Sequence, residues 1–110
     1  MARTTLPPEM LTLIAERLRA LAEPARLQIL NHLRRGEQTV TELVEVTGLG
    51  QANVSKHLQI LLAAGFVRRR KQGLHSFYRL ADRDVFRICD IMCGRLEAEA
   101  GARRRLLRRA

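Results

Sequence analysis

Apolar side chains recur at intervals of three and four residues along most of the chain, and this spacing predicts amphipathic helices. Pro7-Pro8 is a favourable start for the first helix. The apolar positions of that helix are Met10, Leu11, Ile14, Leu18 and Leu21. Pro24 interrupts the pattern and opens a second helix, which ends near Gly36. After an extended piece over residues 39–41, Thr41 is a candidate N-cap for a brief third helix that Gly48 closes.

The fourth predicted helix, Gln51–Leu62, has two different faces. At about 100° per residue, its apolar side chains gather on one side and predict a core stripe. That stripe consists of Val54, Leu58, Leu61 and Leu62. The polar side chains around the rest of the helix are Gln51, Asn53, Ser55, Lys56 and Gln59. Only Gly48-Leu49-Gly50 separates this helix from the one before it, so the pair is typical of a helix-turn-helix.

We therefore predict that this helix reads DNA. Gln51, Asn53 and Gln59 carry amides that can pair with base edges, whereas Ser55 and Lys56 suit phosphate. His57 lies near the edge of the apolar stripe. It either packs locally or joins the DNA contacts.

Residues 66–80 no longer follow the helical pattern. Two strand-like runs surround a turn near Gln72-Gly73 and predict a β-hairpin. The basic side chains of this hairpin are Arg68, Arg69, Arg70, Lys71 and Arg79. Beside a recognition helix, such a row favours phosphate and minor-groove contacts over ordinary surface charge. The fold class predicted is mainly α with a small β-hairpin, a winged helix-turn-helix.

Asp82 and Asp84 are predicted to open the last helix as its N-cap and first-turn acids. Its apolar stripe is too broad for so small a core, so the first and last helices are expected to form a dimer interface. The residues predicted for that interface are Leu11, Ile14, Leu18, Val85, Cys89, Met92 and Leu96. Gly101 is predicted to end the helix. This gives one domain over residues 1–101 and a frayed or weakly helical basic tail over residues 102–110.

Composition narrows the function. The 110 residues carry a net charge of +9, which falls to +4 without the five arginines of the last eight positions, so a polyanion is the expected partner. Nucleic acid and an anionic membrane surface are the two candidates. No apolar run reaches the roughly 20 residues of a membrane span and no signal peptide opens the chain, so a cytoplasmic protein is expected. No Ser-His-Asp order or Gly-rich phosphate loop indicates an enzyme.

Several ordered motifs resemble the ArsR/SmtB family of bacterial winged-helix repressors, over residues 18–81. These motifs are Leu21–Leu30, Gly48–Gln51, Val54–Leu58, Ala64–Val67 and Tyr78–Leu80. The resemblance implies a homodimer that binds an inverted-repeat operator in double-stranded DNA and releases it when an inducer binds.

The sensor sites of that family are not matched here. Where arsenic and cadmium sensors read Glu-Leu-Cys-Val-Cys, this chain reads Glu42-Leu43-Val44-Glu45-Val46. The last helix has no His for the Asp and His pairs of the zinc sensors, and the second helix has no Cys for the persulfide pair. Only Cys89 and Cys93 remain as thiols.

Cys89 and Cys93 are four residues apart, which places them about 6 Å from each other on one helix face. Two thiolates at that spacing suit a thiophilic metal or metalloid ion, or an oxidant, with Asp90 or a group of the partner subunit completing the site. The alternative is that both cysteines are small apolar residues that fill the interface.

Overall fold

A computed structural model of the chain describes residues 5–109. Its elements are α1 (Pro8–Leu21), α2 (Pro24–Leu33), β1 (Gln38–Thr39), α3 (Val40–Thr47), α4 (Gln51–Ala63), β2 (Val67–Gln72), β3 (His75–Leu80) and α5 (Val85–Arg109). The predicted mainly helical winged helix-turn-helix is confirmed. The hairpin of β2 and β3 gains a third antiparallel strand, because β1 pairs with β3 in the order β1-β3-β2.

The third helix begins two residues earlier than predicted, because its N-cap is Thr39 and not Thr41. The Thr39 hydroxyl accepts a hydrogen bond from the Glu42 amide at 3.2 Å, and the Glu42 carboxylate accepts one from the Thr39 amide at 3.0 Å. This reciprocal pair is a capping box, which satisfies two amides at the start of the helix. Val40 and Thr41 are therefore helical, and the extended piece is Gln38–Thr39.

The core lies where the helix-turn-helix meets the sheet. Val54, Leu58 and Leu61 of α4 are completely buried, as predicted, and Leu62 is half-buried against them. The other buried side chains are Ala20, Leu21, Ile29, Leu30, Leu33, Leu43, Phe66, Val67, Tyr78, Val85 and Phe86. The buried face of α4 thus fixes the direction in which its polar face points.

The last helix differs from the prediction at both ends. It begins at Val85, one residue after Asp84, whose amide donates to Asp82 Oδ1 at 2.8 Å. It continues through Gly101 to Arg109, so Gly101 does not end it. Val85 is only 1% exposed, so it belongs to the core of the protomer and is unavailable to a partner subunit as an interface residue. No helix within residues 5–109 is long and apolar enough to span a membrane.

Arg17 connects α1 to the rest of the fold. Its Nη1 donates to the Ala64 carbonyl at 2.9 Å, and its Nη2 lies 3.2 Å from Asp82 Oδ2. Its guanidinium also stacks 4.6 Å from the centre of the Phe66 ring, a cation–π contact. The first helix is thereby joined to the end of the recognition helix and to the segment just before α5.

Candidate nucleic-acid interface

The turn before the recognition helix is held by local hydrogen bonds. Gly48 has φ +73°, a left-handed conformation that ends α3 without the strain a Cβ would cause, and its amide donates to the Val44 carbonyl. The Thr47 hydroxyl donates to the Leu43 carbonyl at 2.6 Å and accepts from the Leu49 amide at 3.2 Å. Gly50 caps α4 without a side-chain hydrogen bond. The start of α4 is therefore set by backbone geometry.

The polar face of α4 is open to a ligand. Gln51, Asn53, Lys56 and Gln59 are exposed, and Ser55 is half-buried. Within residues 5–109, none of these five side chains makes a hydrogen bond or ion pair inside the protein. Their donors and acceptors are consequently free for base edges and phosphates.

His57 lies between the two faces, as its position in the sequence indicates. The residue is half-buried, and its Nδ1 is buried without a hydrogen-bond partner among the described residues. The ring can still present its other nitrogen, so a role in DNA contact stays a prediction.

The wing is the hairpin of β2 and β3, and its basic residues are divided between the two faces of the sheet. Arg68 is paired with Arg79, and Arg69 with the buried Tyr78. Because side chains alternate along a strand, Arg68, Arg70 and Arg79 share one face, whereas Arg69 and Lys71 share the face that carries the core. All five are exposed. The wing therefore presents positive charge in two directions rather than one.

Arg70 differs from the other four basic residues of the wing because its side chain already forms an ion pair with Glu37. Its Nε lies 3.3 Å from Glu37 Oε2, its Nη2 pairs with the second carboxylate oxygen, and its guanidinium stacks on Phe77. The hydrogen bond from Arg70, with the positive charges of Arg70 and Arg79, lowers the pKa of Glu37, and the same hydrogen bond raises the pKa of Arg70. Glu37 was not among the predicted site residues, since only the pairing of β1 with β3 brings it near the wing.

Comparison with known proteins agrees with this geometry. The profile of the family described as "Bacterial regulatory protein, arsR family" matches residues 23–69. The arsenical resistance operon repressor of Bacillus subtilis is 36% identical over 78 residues, which cover 70% of this chain and 74% of that protein. This chain belongs to the ArsR family.

Two further proteins are similar to this chain. The HTH-type transcriptional repressor SmtB of Mycobacterium tuberculosis is 44% identical over 82 residues, which cover 74% of this chain but only 61% of SmtB. The homodimeric winged helix-turn-helix DNA-binding domain of a possible ArsR-family regulator from Mycobacterium bovis superimposes with a TM-score of 0.70 at 33% identity, covering 88% of this chain and 91% of that one. The predicted family is confirmed.

The two thiols of this ArsR-family chain lie in different surroundings. Cys89 is half-buried, whereas Cys93 is exposed and its thiol lies 3.4 Å from Glu97 Oε1, to which it donates. The hydrogen bond to Glu97 and the negative charges of Glu97 and Asp90 raise the pKa of Cys93, which disfavours the thiolate. No three metal-ligating side chains cluster anywhere in residues 5–109. One protomer therefore does not complete a three- or four-ligand metal site.

The predicted interface residues, apart from Val85 and the half-buried Cys89, form exposed apolar surface. Leu11, Ile14 and Leu18 on α1 are 38–52% exposed, and Met92 and Leu96 on α5 are 57% and 62% exposed. Seven exposed apolar residues on or next to these helices were not predicted for this surface: Leu6, Met10, Leu13, Ile88, Ile91, Leu106 and Leu107. Leu106 and Leu107 were missed because Gly101 was expected to end the helix.

Proposed function

We propose that this chain is a homodimeric, sequence-specific transcriptional repressor that binds an inverted-repeat operator in double-stranded DNA and acts in the cytoplasm. The observation that carries the proposal is the polar face of α4, which is unpaired among residues 5–109 and exposed except at the half-buried Ser55. On the opposite face Val54, Leu58 and Leu61 are completely buried. A helix packed in this way can place its polar face in the major groove while its apolar face stays in the protein core. Family membership supports the same function.

The proposal assigns different tasks to different side chains. Gln51, Asn53 and Gln59 contact base edges, and Ser55 and Lys56 contact phosphate. On the wing, Arg68, Arg69, Lys71 and Arg79 neutralise phosphates. Arg70 holds the wing against Glu37 and contributes less to DNA binding than the other four.

These tasks are tested by fluorescence anisotropy with DNA from upstream of the chain's own gene and with a scrambled duplex, at several salt concentrations. Lys56→Ala is expected to weaken binding to both duplexes alike and to reduce the salt slope by about one. Asn53→Ala and Gln59→Ala are expected to cost about 1–3 kcal/mol on the specific duplex alone. Arg83→Ala removes an exposed charge from outside α4 and the wing, and serves as the charge-matched control. Equal losses on both duplexes for Asn53→Ala and Gln59→Ala would contradict base reading.

The homodimer is proposed because α1 and α5 leave the apolar surface just described. Two copies of one chain present two recognition helices, and an inverted repeat offers two half-sites separated by about 34 Å, one turn of DNA. A change in the angle between the α5 helices would alter that spacing and release the operator.

We further propose that release responds to a thiophilic metal or metalloid ion, or to an oxidant, at Cys89 and Cys93. The support is their i, i+4 spacing on α5, with Cys93 exposed. An ion would displace both thiol protons. An ion that takes three or four ligands would need a further one from the partner subunit, such as Asp90 of the partner subunit, because no third ligating side chain of residues 5–109 clusters with the two thiols. The Cys93–Glu97 hydrogen bond opposes this reaction by raising the thiol pKa.

The double variant Cys89→Ser/Cys93→Ser is expected to bind the operator normally and to lose its response to thiophilic ions and oxidants. Glu97→Gln is expected to lower the pKa of Cys93 and to increase its alkylation rate at neutral pH, measured against the unmodified chain. If the double serine variant still releases DNA with these reagents, the cysteines are interface packing and the regulator has no thiol sensor, which is the alternative function.

A further inference from the structure

A cavity of about 430 Å³ lies between α2 and the first turns of α5, away from the recognition helix and the wing. Its walls are mostly apolar, with Leu27 and Leu30 on the α2 side and Val85 and Phe86 on the α5 side. The volume falls within the range of about 300–1,000 Å³ that small-molecule sites occupy. The groove between α1 and α5, which contains Ile14 and Ile88, is separate. None of the exposed apolar residues of α1 and α5 lines the cavity, although Cys89, which belongs to the predicted interface and the proposed thiol site, does.

One positively charged side chain, that of Arg34, lines this cavity. The Arg34 guanidinium stacks 4.1 Å from the centre of the Phe86 ring, and both residues line the cavity. No carboxylate of residues 5–109 lies within ion-pair distance of Arg34, in contrast to Arg17, Arg26, Arg70 and Arg87. An arginine that is oriented by an aromatic ring and unneutralised is suited to bind an acid group of a ligand.

We propose that this cavity binds a small organic acid with an aromatic or branched apolar body. The body lies among Leu27, Leu30, Val85 and Phe86, and the acid group accepts hydrogen bonds from Arg34. The side-chain amides of Gln28 and Asn31, which also line the cavity, provide further polar contacts. A neutral ligand of the same shape would leave the Arg34 charge without a counter-ion.

Gln28 connects the cavity to DNA reading, and this step rests on the proposed function. Its Nε2 donates to the carbonyl of Thr47 at 3.2 Å, and the Thr47 hydroxyl in turn holds the Leu49 amide in the turn before α4. A ligand that engages the Gln28 amide releases the Thr47 carbonyl and loosens that turn. By linkage, the acid and the operator then weaken each other's binding by the same factor.

Binding is tested on the full chain without DNA, with the fluorescent acid 1-anilinonaphthalene-8-sulfonate and its uncharged analogue N-phenyl-1-naphthylamine. Arg34→Gln is expected to weaken the sulfonate about tenfold or more, since charge-assisted hydrogen bonds contribute about 1.5–3 kcal/mol, and to leave the neutral dye nearly unchanged. Arg35→Gln, which removes the adjacent exposed charge, is the matched control and is expected to affect neither dye. Leu27→Trp fills the cavity and is expected to weaken both.

Two results would overturn the site. Sulfonate binding that is insensitive to Arg34→Gln would mean that the acid group does not contact Arg34. Binding insensitive to Leu27→Trp would place the dye elsewhere, for example on the exposed apolar surface of α1 and α5. Circular dichroism verifies that each variant is folded.

The link to DNA is measured separately, by operator affinity with and without saturating sulfonate. The dye is expected to weaken operator binding of the unmodified chain. It is expected not to change operator binding of Gln28→Ala, measured at a dye concentration that saturates this variant, because the Gln28–Thr47 hydrogen bond is already absent there. Dye binding without any change in operator affinity would contradict the proposed coupling between the cavity and DNA binding. The proposed ligand site itself would still stand. Failure of the unmodified chain to bind any DNA would overturn the proposed function and leave the dye result standing.

Discussion

The middle of the chain and its two ends have the same apolar periodicity but different outcomes. Every buried side chain lies between Ala20 and Phe86, and none of residues 5–19 or 87–108 is buried. Of the fifteen large apolar residues that stay exposed, twelve lie on α1, just before it, or on α5. The middle therefore has a closed core within one protomer, whereas the terminal helices do not.

Helical periodicity in a sequence therefore indicates that an apolar face will be buried. It does not indicate whether the same chain or a partner subunit buries it. In the middle, α2, α3, α4 and the sheet cover one another. The exposed large apolar residues at the ends are concentrated on two helices, and concentrations of exposed apolar residues mark interaction sites. The ends are thus where a partner subunit has most to contribute.

The largest effect is expected in the closed core. Leu58→Ala removes a completely buried side chain from the recognition helix and is expected to lower the free energy of unfolding by about 2–5 kcal/mol. Gln59→Ala, its exposed neighbour, is the control and is expected to change it by about 0.5 kcal/mol or less. Urea unfolding at one fixed protein concentration measures both. Equal effects would mean that the middle region is not closed around α4.

A smaller effect is expected at the ends, on association rather than folding. Leu96→Asp places a carboxylate on the apolar surface of α5 and is expected to weaken dimerisation about a hundredfold, which corresponds to roughly 2.7 kcal/mol. Leu74→Asp makes the same change at the fully exposed tip of the wing and is the control. Sedimentation equilibrium gives the two dimer constants. A dimer that tolerates Leu96→Asp would move the interface away from this part of α5.

The start of α3 offers an effect of intermediate to small size within the middle region. Thr39→Ala removes the hydroxyl of the capping box and is expected to cost about 1 kcal/mol of unfolding free energy. Thr41→Ala is the control, because Thr41 is exposed and within the helix, and a near-neutral result is expected. Thermal unfolding compares them. A larger loss of unfolding free energy for Thr41→Ala than for Thr39→Ala would mean that Thr41 is the N-cap, as predicted from the sequence.

That cap illustrates how far the sequence could be interpreted. The hydrophobic pattern predicts all five helices and the hairpin, since each has its own periodicity and all of them except α5 are bounded by Pro or Gly. Thr39 and Thr41 are both acceptable N-caps, but Thr39 has Glu42 three residues later, which is the capping-box pattern. That local signal favours Thr39 as the N-cap.

The other differences have two causes: a local signal at Gly101 that is too weak to end a helix, and contacts between residues that are distant in the sequence. Gly101 costs a helix only about 1 kcal/mol relative to Ala and does not by itself end one, so α5 runs on to Arg109. The two-residue strand β1 exists only because it pairs with Tyr78 and Phe77 of β3. The division of the wing's basic row between two faces, and the pairing of Arg70 with Glu37, follow from that same register.

The smallest effect is expected from the Glu37–Arg70 ion pair, which joins the wing to the segment before β1. The Arg70 hydrogen bond lowers the pKa of Glu37 below its ordinary value of 4.5. A lowered carboxyl pKa means that the pair stabilises the fold above about pH 4.5, and that this stabilisation is lost as the pH falls through the folded-state pKa. Glu37→Gln is therefore expected to be slightly less stable than the unmodified chain at neutral pH and equally stable in acid.

Urea unfolding from pH 7 to pH 2 measures that difference, with Glu45→Gln as the control because Glu45 is exposed and no residue among 5–109 pairs with it. High salt is expected to narrow the difference at neutral pH, since the pair is partly exposed to solvent. A difference that persisted in acid would mean that Glu37 supports the wing through packing rather than charge. The wing would then be fixed by the same closed contacts as the rest of the middle region, and its position would not respond to pH.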